Sequence, residues 1–450
     1  MKRVLLIMAS HYRPDGTVHR VERYWTSALT LPYLEALAPP GFDFQLVDDS
    51  TSQPPLDTDA DLVGLSAMGL QIGRAYVLAD EYRRRGVPVV MGGEWVSLAP
   101  EQALEHCDAI VQGEAEHAWP QLLSDFAAGG LRQRLYRSDT LHDWKGLPKV
   151  DLDHLPLWRK DLMSERIYRE YYFQFPLLVT RGCPHRCDYC SVAEFHSSSY
   201  RCRPIGEIIE DVRAIKAKGS RTILFMDDNP VANKRYAKEL FRALIPEGIR
   251  WCSQCTISIA EDPELLDLAA RSGCFLLSIG FESIRQSNLD GINKPWADAN
   301  RYARLMREIR KRGIQIVALM MVGLDDDRLE DFDRTLEFLI RNKVSLAKFH
   351  LPMPYPGTRF YDEMERQGRI LTKDWNQYHY GRAVIRPRHF SPEQAEAKFW
   401  ATYEGFFELR SIVRRFLPPP RRRLGQTMHY LAANLAFRHL QRKGRHPYLF

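Results

Sequence analysis

Short apolar runs, punctuated by glycine and polar residues, recur along the first 130 positions. Residues 4–8 (VLLIM) and 62–66 (LVGLS) are unbroken apolar runs of strand length. Such runs mark strands buried on both faces. Residues 74–85 carry a helical pattern that stops at Gly86, and 88–91 predicts a strand ending at Gly92-Gly93. Residues 109–111 predict another strand, ending at Gly113, and 119–126 a helix. This alternation predicts a Rossmann-like, doubly wound parallel sheet over residues 1–140. Its Gly-rich turns follow strand ends, where ligands sit in such sheets. A second series begins at 173. Strands at 177–180, 222–226, 250–257, 275–281, 315–322 and 345–351 alternate with helices at 205–218, 234–245, 263–272, 297–312 and 329–341. Six β/α units over 173–390 predict a partial (β/α)6 TIM-type barrel with its chemistry at the carboxyl ends of the strands. The class is therefore α/β. Residues 141–172, with several Pro and Trp, read as a connector, and 151–158 as its linker. Residues 391–450 read as a helical C-terminal region. It is interrupted by prolines at 418–420, and its last helix carries Leu424, Met428, Leu431 and Leu435 at helical spacing.

Composition removes several classes. Of 450 residues, 45% are apolar and 27% charged, ordinary globular usage. No run reaches the roughly 18–20 apolar residues of a spanning helix. The apolar stretch at 4–9 gives way at once to His11, Arg13 and Asp15. It reads as a first strand rather than a secretion signal, and the chain as cytoplasmic. The net charge is +6, yet residues 411–450 hold nine Lys and Arg and no acid, leaving 1–410 at −3. A body of that charge is not built to wrap nucleic acid. Arg414, Arg415 and Arg421 to Arg423 border an amphipathic stretch. Either it packs one face on the barrel, or it contacts a membrane surface peripherally.

Eight cysteines stand at 107, 183, 187, 190, 202, 252, 255 and 274. Three fall in Thr180-Arg-Gly-Cys183-Pro-His-Arg-Cys187-Asp-Tyr189-Cys190, spaced Cys-x3-Cys-x2-Cys after the first barrel strand. Three thiolates hold three irons of a four-iron cluster and leave the fourth open. Zinc, completed by His185, His196 or Cys202, is the competing reading. Cys252 and Cys255 form a Cys-x2-Cys inside a predicted strand. Positions i and i+3 of a strand face opposite ways, so one lines the lumen and one meets a helix. Cys252, Gln254 and Cys255 are the substrate-side candidates.

With its aromatic before the third cysteine, this motif resembles the radical S-adenosylmethionine (SAM) superfamily. The resemblance implies a [4Fe–4S] cluster on Cys183, Cys187 and Cys190, and SAM beside Tyr189. It also implies SAM contacts from Asp227, Asp228 and Asn229 after the second strand, Glu282 and Ser283 after the fourth, and Gly323 after the fifth. The alternative for these polar strand ends is a solvated loop.

Residues 1–140 extend the likeness. Gly64-Leu-Ser66-Ala-Met68, Gly92-Gly93-Glu94 and Gly113-Glu114-Ala115-Glu116 resemble the cobalamin-binding domain that precedes the barrel in one subclass. Ser66, Gly92, Gly93, Gly113 and Glu114 are then the cobalamin contacts. The Asp-x-His-x-x-Gly signature of a lower axial histidine is absent; His11 and His19 lack its spacing. A domain holding no cobalamin stays open beside this. The resemblance implies cobalamin-dependent methylation of an unactivated carbon in a small-molecule or lipid-like substrate through a 5′-deoxyadenosyl radical. Ring closure, ring contraction or oxidation without methyl transfer is the alternative. Flavodoxin or ferredoxin is the expected electron donor, and no nucleic acid is expected. Residues 1–150 hold only Cys107, so the second cysteine triad of the transfer-RNA methylthiotransferases is missing. A zinc-binding scaffold is the non-enzymatic alternative.

Overall fold

The structure, a computed structural model, describes residues 1–13, 15–20, 26, 28–138, 141–143, 145–150, 174–417 and 424–442, with the side chains of 424–427 left out. The linker at 151–158, most of the expected connector, and Arg421 to Arg423 lie outside the described residues.

The first sheet is fully parallel. Its strands are β1 (Lys2–Met8), β2 (Phe42–Asp48), β3 (Leu62–Ser66), β4 (Val89–Gly92), β5 (Ala109–Gln112) and β6 (Leu135–Arg137). They run in the order β2-β1-β3-β4-β5-β6. Residues 4–8 and all of β3 are buried, as their apolar runs require. The sequence reading missed β2, β6 and the helix Thr30–Ala36. β2 is an edge strand whose half-buried and exposed positions alternate, Phe42-Asp-Phe-Gln, so it lacks a continuous apolar run. β6 has three residues. The strand order reverses between β1 and β3. A doubly wound sheet opens its ligand crevice at that switch point, beyond the strand carboxyl ends. Here Met8–Ser10 and Ser66–Met68 form the crevice rim.

The second sheet holds β7 (Phe175–Leu177), β10 (Thr222–Phe225), β11 (Arg250–Cys255), β12 (Cys274–Glu282), β13 (Gln315–Met321) and β14 (Leu346–His350). They are parallel and ordered in sequence, as a partial six-unit barrel requires. β8 (Thr180–Arg181) and β9 (Arg201–Cys202) form a separate antiparallel pair that closes the base of the cysteine loop. The core of the first sheet also takes in Met353, Tyr361, Trp375, Tyr378 and Val384 from beyond β14. Trp95 meets Tyr355 and Trp375 edge-on at 5.5 and 4.8 Å. These contacts seat the two sheets crest to crest.

The C-terminal helices close the lower end of the barrel. Helix Leu409–Phe416 buries Ile412, Arg415 and Phe416. Arg415 therefore belongs to the interior and not to a basic surface, while Arg414 pairs with Glu337 at 2.6 Å. The Arg415 guanidinium donates to the carbonyls of Val344 (3.0 Å), Ser345 (3.1 Å) and Phe406 (2.8 Å) and to Asn434 Oδ1 (2.8 Å). It also lies 3.8 Å from the Phe406 ring centroid. Burial lowers its pKa to about 9. In helix Leu424–Arg442 Tyr430 and Asn434 are buried and Leu431 of the expected apolar stripe packs on the barrel core, whereas Met428 and Leu435 are 53% and 43% exposed. Polar partners on the barrel floor, backbone carbonyls and Arg415, chose that face. Arg415→Met strips these buried acceptors of their donor. It should destabilise the C-terminal region by at least about 3 kcal/mol, read as a lower melting temperature and early proteolytic release of residues beyond 417.

Candidate active site at the facing strand ends

Gly182 turns the chain into the cysteine loop with φ +76°. A Cβ there would stand 2.2 Å from the Ser199 carbonyl oxygen, so the turn admits only glycine. The loop is tied at three points. Cys190 N–H donates to Cys187 O at 3.0 Å, Asp188 N–H to Ile292 O at 3.1 Å, and Phe360 N–H to Asp188 O at 2.9 Å. Burial raises the Cys183 thiol, and raises Cys187 and Cys190 to about 11 and 12.

The Asp-Asp-Asn segment after β10 divides its labour. Asp227 accepts hydrogen bonds from Val179 N–H (3.1 Å), the Thr180 hydroxyl (2.6 Å) and Thr180 N–H. Burial pushes its carboxyl up to about 7 against the pull of those donors. Asp227 thus fixes the strand that leads into the loop. Burial also raises Asp228, against His196 and the Gly182 amide. Asn229 places Nδ2 3.8 Å from Cys183 Sγ and accepts from Thr256 N–H at 3.4 Å.

Across the lumen, β12 shifts register between Gly280 and Glu282, and Glu282 takes φ +60°. This strained turn aims the carboxylate at Lys294, a residue no sequence motif singled out. Lys294 Nζ donates to Glu282 Oε1 at 2.9 Å and to Gly280 O at 3.0 Å. The Tyr189 hydroxyl donates to the same carboxylate oxygen at 2.9 Å. A Cβ on Gly280 would lie 2.4 Å from that oxygen. Burial opposes ionisation of Glu282, yet Lys294 and the other donors hold its carboxyl below the ordinary range. Lys294 also lowers the Cys187 and Cys183 thiols against burial. Nearby, burial drives His350 down to about 4, so its ring is neutral at pH 7. Ser283 is buried and accepts from Arg285 N–H at 3.1 Å. Gly323 N–H donates to Asp327 at 2.9 Å. A cavity of about 370 Å³ lies beside the loop, with Asp188, Asp325, Asp326, Arg359 and Glu363 in its wall; none of Tyr189, Asp228, Asn229, Glu282, Ser283 or Gly323 lines it.

Cys252 and Cys255 point apart. Trp251 stacks outward on Phe225 and Phe241, which puts Cys252 and Gln254 on the lumen face and Cys255 on the helix face. Cys252 Sγ lies 3.3 Å from Gln174 Oε1; Cys255 is buried in the apolar core; Gln254 is exposed to the lumen.

On the first sheet, Ser66, Gly92, Gly93 and Gly113 sit at the crest. Ser66 is buried, Gly93 packs on the Ala67 carbonyl, and Gly113 has open space beside it. Met68 is 55% exposed at the same rim. Glu114 is turned away from that space. Arg201 reaches it at 2.8 Å, Arg181 at 3.3 Å and His196 at 3.4 Å. Burial alone would raise this carboxyl, but hydrogen bonds from Arg201 and His196 and the charges of Arg181 and Arg201 hold it well below the usual carboxylate range. His11 and His19 stack at 4.6 Å, and burial holds His11 near 4.

These residues fit the cofactors the sequence implies. The three cysteines lie within mutual electrostatic reach. Among the described residues no three ligand groups close on one ion position, nor need they for a cube whose thiolates bind separate irons. His185 stacks on Trp296 at 4.0 Å and His196 faces Glu114, away from the thiols. Beside the thiols, Asn229 Nδ2 stands 3.8 Å from Cys183 Sγ and Tyr189 donates to Glu282 at 2.9 Å, polar groups suited to a bound nucleoside and amino acid. The small, uncharged crest residues leave a macrocycle room beside Met68.

Replacing Cys183, Cys187 or Cys190 by Ala should each abolish bound iron and sulfide with the far-ultraviolet circular dichroism unchanged. Cys202→Ala, Cys252→Ala and Cys255→Ala should keep full iron content. Lys294→Met leaves Glu282 buried without its cation and should cost about 3–5 kcal/mol, seen as a fall in melting temperature of the cofactor-free protein.

Sequence profiles bear on the same regions. The Radical SAM superfamily profile matches residues 177–339, and the B12 binding domain profile matches 34–123. The chain is 31% identical over 421 residues to bacteriochlorophyllide d C-8(2)-methyltransferase of Chlorobaculum tepidum, covering 91% of each chain. It is 27% identical to the C-12(1)-methyltransferase of the same organism, covering 87% of this chain and 85% of that one. The radical SAM methyltransferase TsrM from Kitasatospora setae, solved with tryptophan and a SAM analogue, has the same fold. It gives a TM-score of 0.69 at 17% identity over 99% of both chains. The cofactors are accordingly a [4Fe–4S] cluster, SAM and cobalamin. With the cysteine loop, the two parallel sheets and this full-length likeness together, the chain belongs to the radical S-adenosylmethionine superfamily, among its cobalamin-dependent methyltransferases.

Proposed function

We propose that this enzyme methylates a peripheral carbon of a chlorophyllide-type tetrapyrrole. The observation that carries this reading is the pair of bacteriochlorophyllide d methyltransferases aligned along nearly the whole chain. The lumen supports it: Met226, 42% exposed, and the half-buried Leu319 offer apolar wall to a flat ring system. When bound, the reduced cluster supplies the electron that cleaves SAM, and cobalamin supplies the methyl group. Everything else falls to the chain. Cys183, Cys187 and Cys190 hold the cluster. Tyr189, Asp228, Asn229, Glu282, Ser283 and Gly323 surround SAM. Ser66, Gly92, Gly93 and Gly113 border cobalamin. Asp227 and Glu114 act by positioning, through the strands on either side of the cysteine loop. Flavodoxin or ferredoxin delivers the electron. No helix among the described residues is long and apolar enough to cross a membrane.

The test is anaerobic turnover of holoenzyme with bacteriochlorophyllide d, SAM labelled in its methyl group, and a low-potential reductant. A product heavier by one labelled methyl in place of hydrogen, formed with 5′-deoxyadenosine, is the expected result. Labelled SAM cleaved with no methylated tetrapyrrole would overturn the substrate. A tetrapyrrole altered without label would move the enzyme to ring closure or oxidation.

A further inference from the structure

The barrel lumen holds a lysine that the cofactors do not account for. Phe349 packs outward against Phe406 and Tyr403, at 6.0 and 6.3 Å. Strand alternation therefore turns its neighbour Lys348 into the lumen. In register beside it stand Leu319 and Gly280, the row just below Glu282. Lys348 is half-buried. Its ammonium donates to the Tyr380 hydroxyl at 3.2 Å and lies 4.4 Å from the Tyr380 ring centroid. Among the described residues it has no carboxylate partner. The nearest buried acid on this wall, Glu282, is neutralised by Lys294. On the opposite wall Gln254 is exposed and Met226 is half-exposed. The lumen is thus an apolar-walled space with an amide on one side and one unneutralised ammonium on the other. Tyr380 holds that ammonium in place rather than compensating its charge.

A half-buried cation without an anion is costly to keep. Arg415 meets that cost with three carbonyls and an amide oxygen, whereas Lys348 donates to one phenol among the described residues and keeps donor capacity for a ligand's anion. We infer that Lys348 binds a carboxylate of the substrate and sets which carbon of the substrate faces the reacting groups. This rests on the tetrapyrrole reading only for the identity of the scaffold, since the free-acid chlorophyllides carry such a carboxylate on a short side chain.

The experiment measures affinity of the reconstituted holoenzyme for two acid and neutral pairs. They are bacteriochlorophyllide d against its methyl ester, and 1-pyrenebutyrate against 1-pyrenebutyramide, both followed by fluorescence quenching. Wild type should bind each acid about tenfold or more tightly than its neutral counterpart, the size of a charge-assisted hydrogen bond in a partly buried site. Lys348→Met should lower affinity for the acids to that for the neutral forms and leave the neutral forms unchanged. Lys348→Arg should restore most of the preference, and iron and cobalt content should match wild type in both variants. Equal affinity of wild type for acid and ester, or a preference that survives in Lys348→Met, overturns the anchor and leaves the tetrapyrrole reading intact. A Lys348-dependent preference for pyrenebutyrate, with no binding of the chlorophyllide, supports the anchor and removes the tetrapyrrole. Binding of neither pair overturns both.

Discussion

A carboxylate buried between two sheets must be neutralised where it lies, and Glu114 meets that demand with cations from the other half of the molecule. It leaves the carboxyl end of β5 and is gripped by Arg181 of β8, Arg201 of β9 and His196 between them. Arg181 also pairs with Glu116, which in turn accepts from Tyr33. β8 and β9 are the two sides of the cysteine loop. The ion cluster that satisfies one acid therefore sets the distance and angle between the cobalamin crest and the loop that carries the cluster thiolates. Removing either side would leave uncompensated charge in the interior, a larger penalty than a surface ion pair exacts.

The same rule organises the barrel from top to bottom. Near the thiols, Glu282 and Lys294 are buried together and share Tyr189. At the floor, Arg415 is buried without an acid and lives on carbonyl dipoles and Asn434. In the middle, Lys348 has a phenol and, among the described residues, no carboxylate. Three of these charges are satisfied by the fold, and the fourth faces the lumen. That contrast separates residues that hold the barrel together from one available to a ligand.

Most of the architecture was legible because parallel strands buried on both faces write themselves as apolar runs, and because the cysteine spacing sits on a defined loop. The opposite orientations of Cys252 and Cys255 followed from strand period alone. What was hidden has a common cause. The Glu114–Arg201 contact joins residues 87 positions apart, and no local pattern announces such a pairing. Lys294, in a loop, and Arg415, on a helix, look like ordinary surface charges until their burial is known. Asp227 read as a cofactor contact because it ends a strand; its carboxylate turned instead to the amides of Val179 and Thr180. The stripe of the last helix was half informative: Leu431 packs on the core, but Asn434, drawn to acceptors on the barrel floor, turns Met428 and Leu435 outward.

The ties of the cysteine loop run forward in the chain. Asp188 bonds Ile292 and then Phe360, and Lys294 comes more than a hundred residues after Cys187. Chains fold from the amino end as they leave the ribosome. For a long stretch of synthesis the three thiols exist with neither the wall behind them nor the cation beside them. The loop becomes a rigid receptacle only once residue 360 has been placed. Iron delivered earlier meets a loose peptide open to oxygen, and iron delivered later meets a finished socket. Maturation of this enzyme is therefore a matter of timing as much as of affinity.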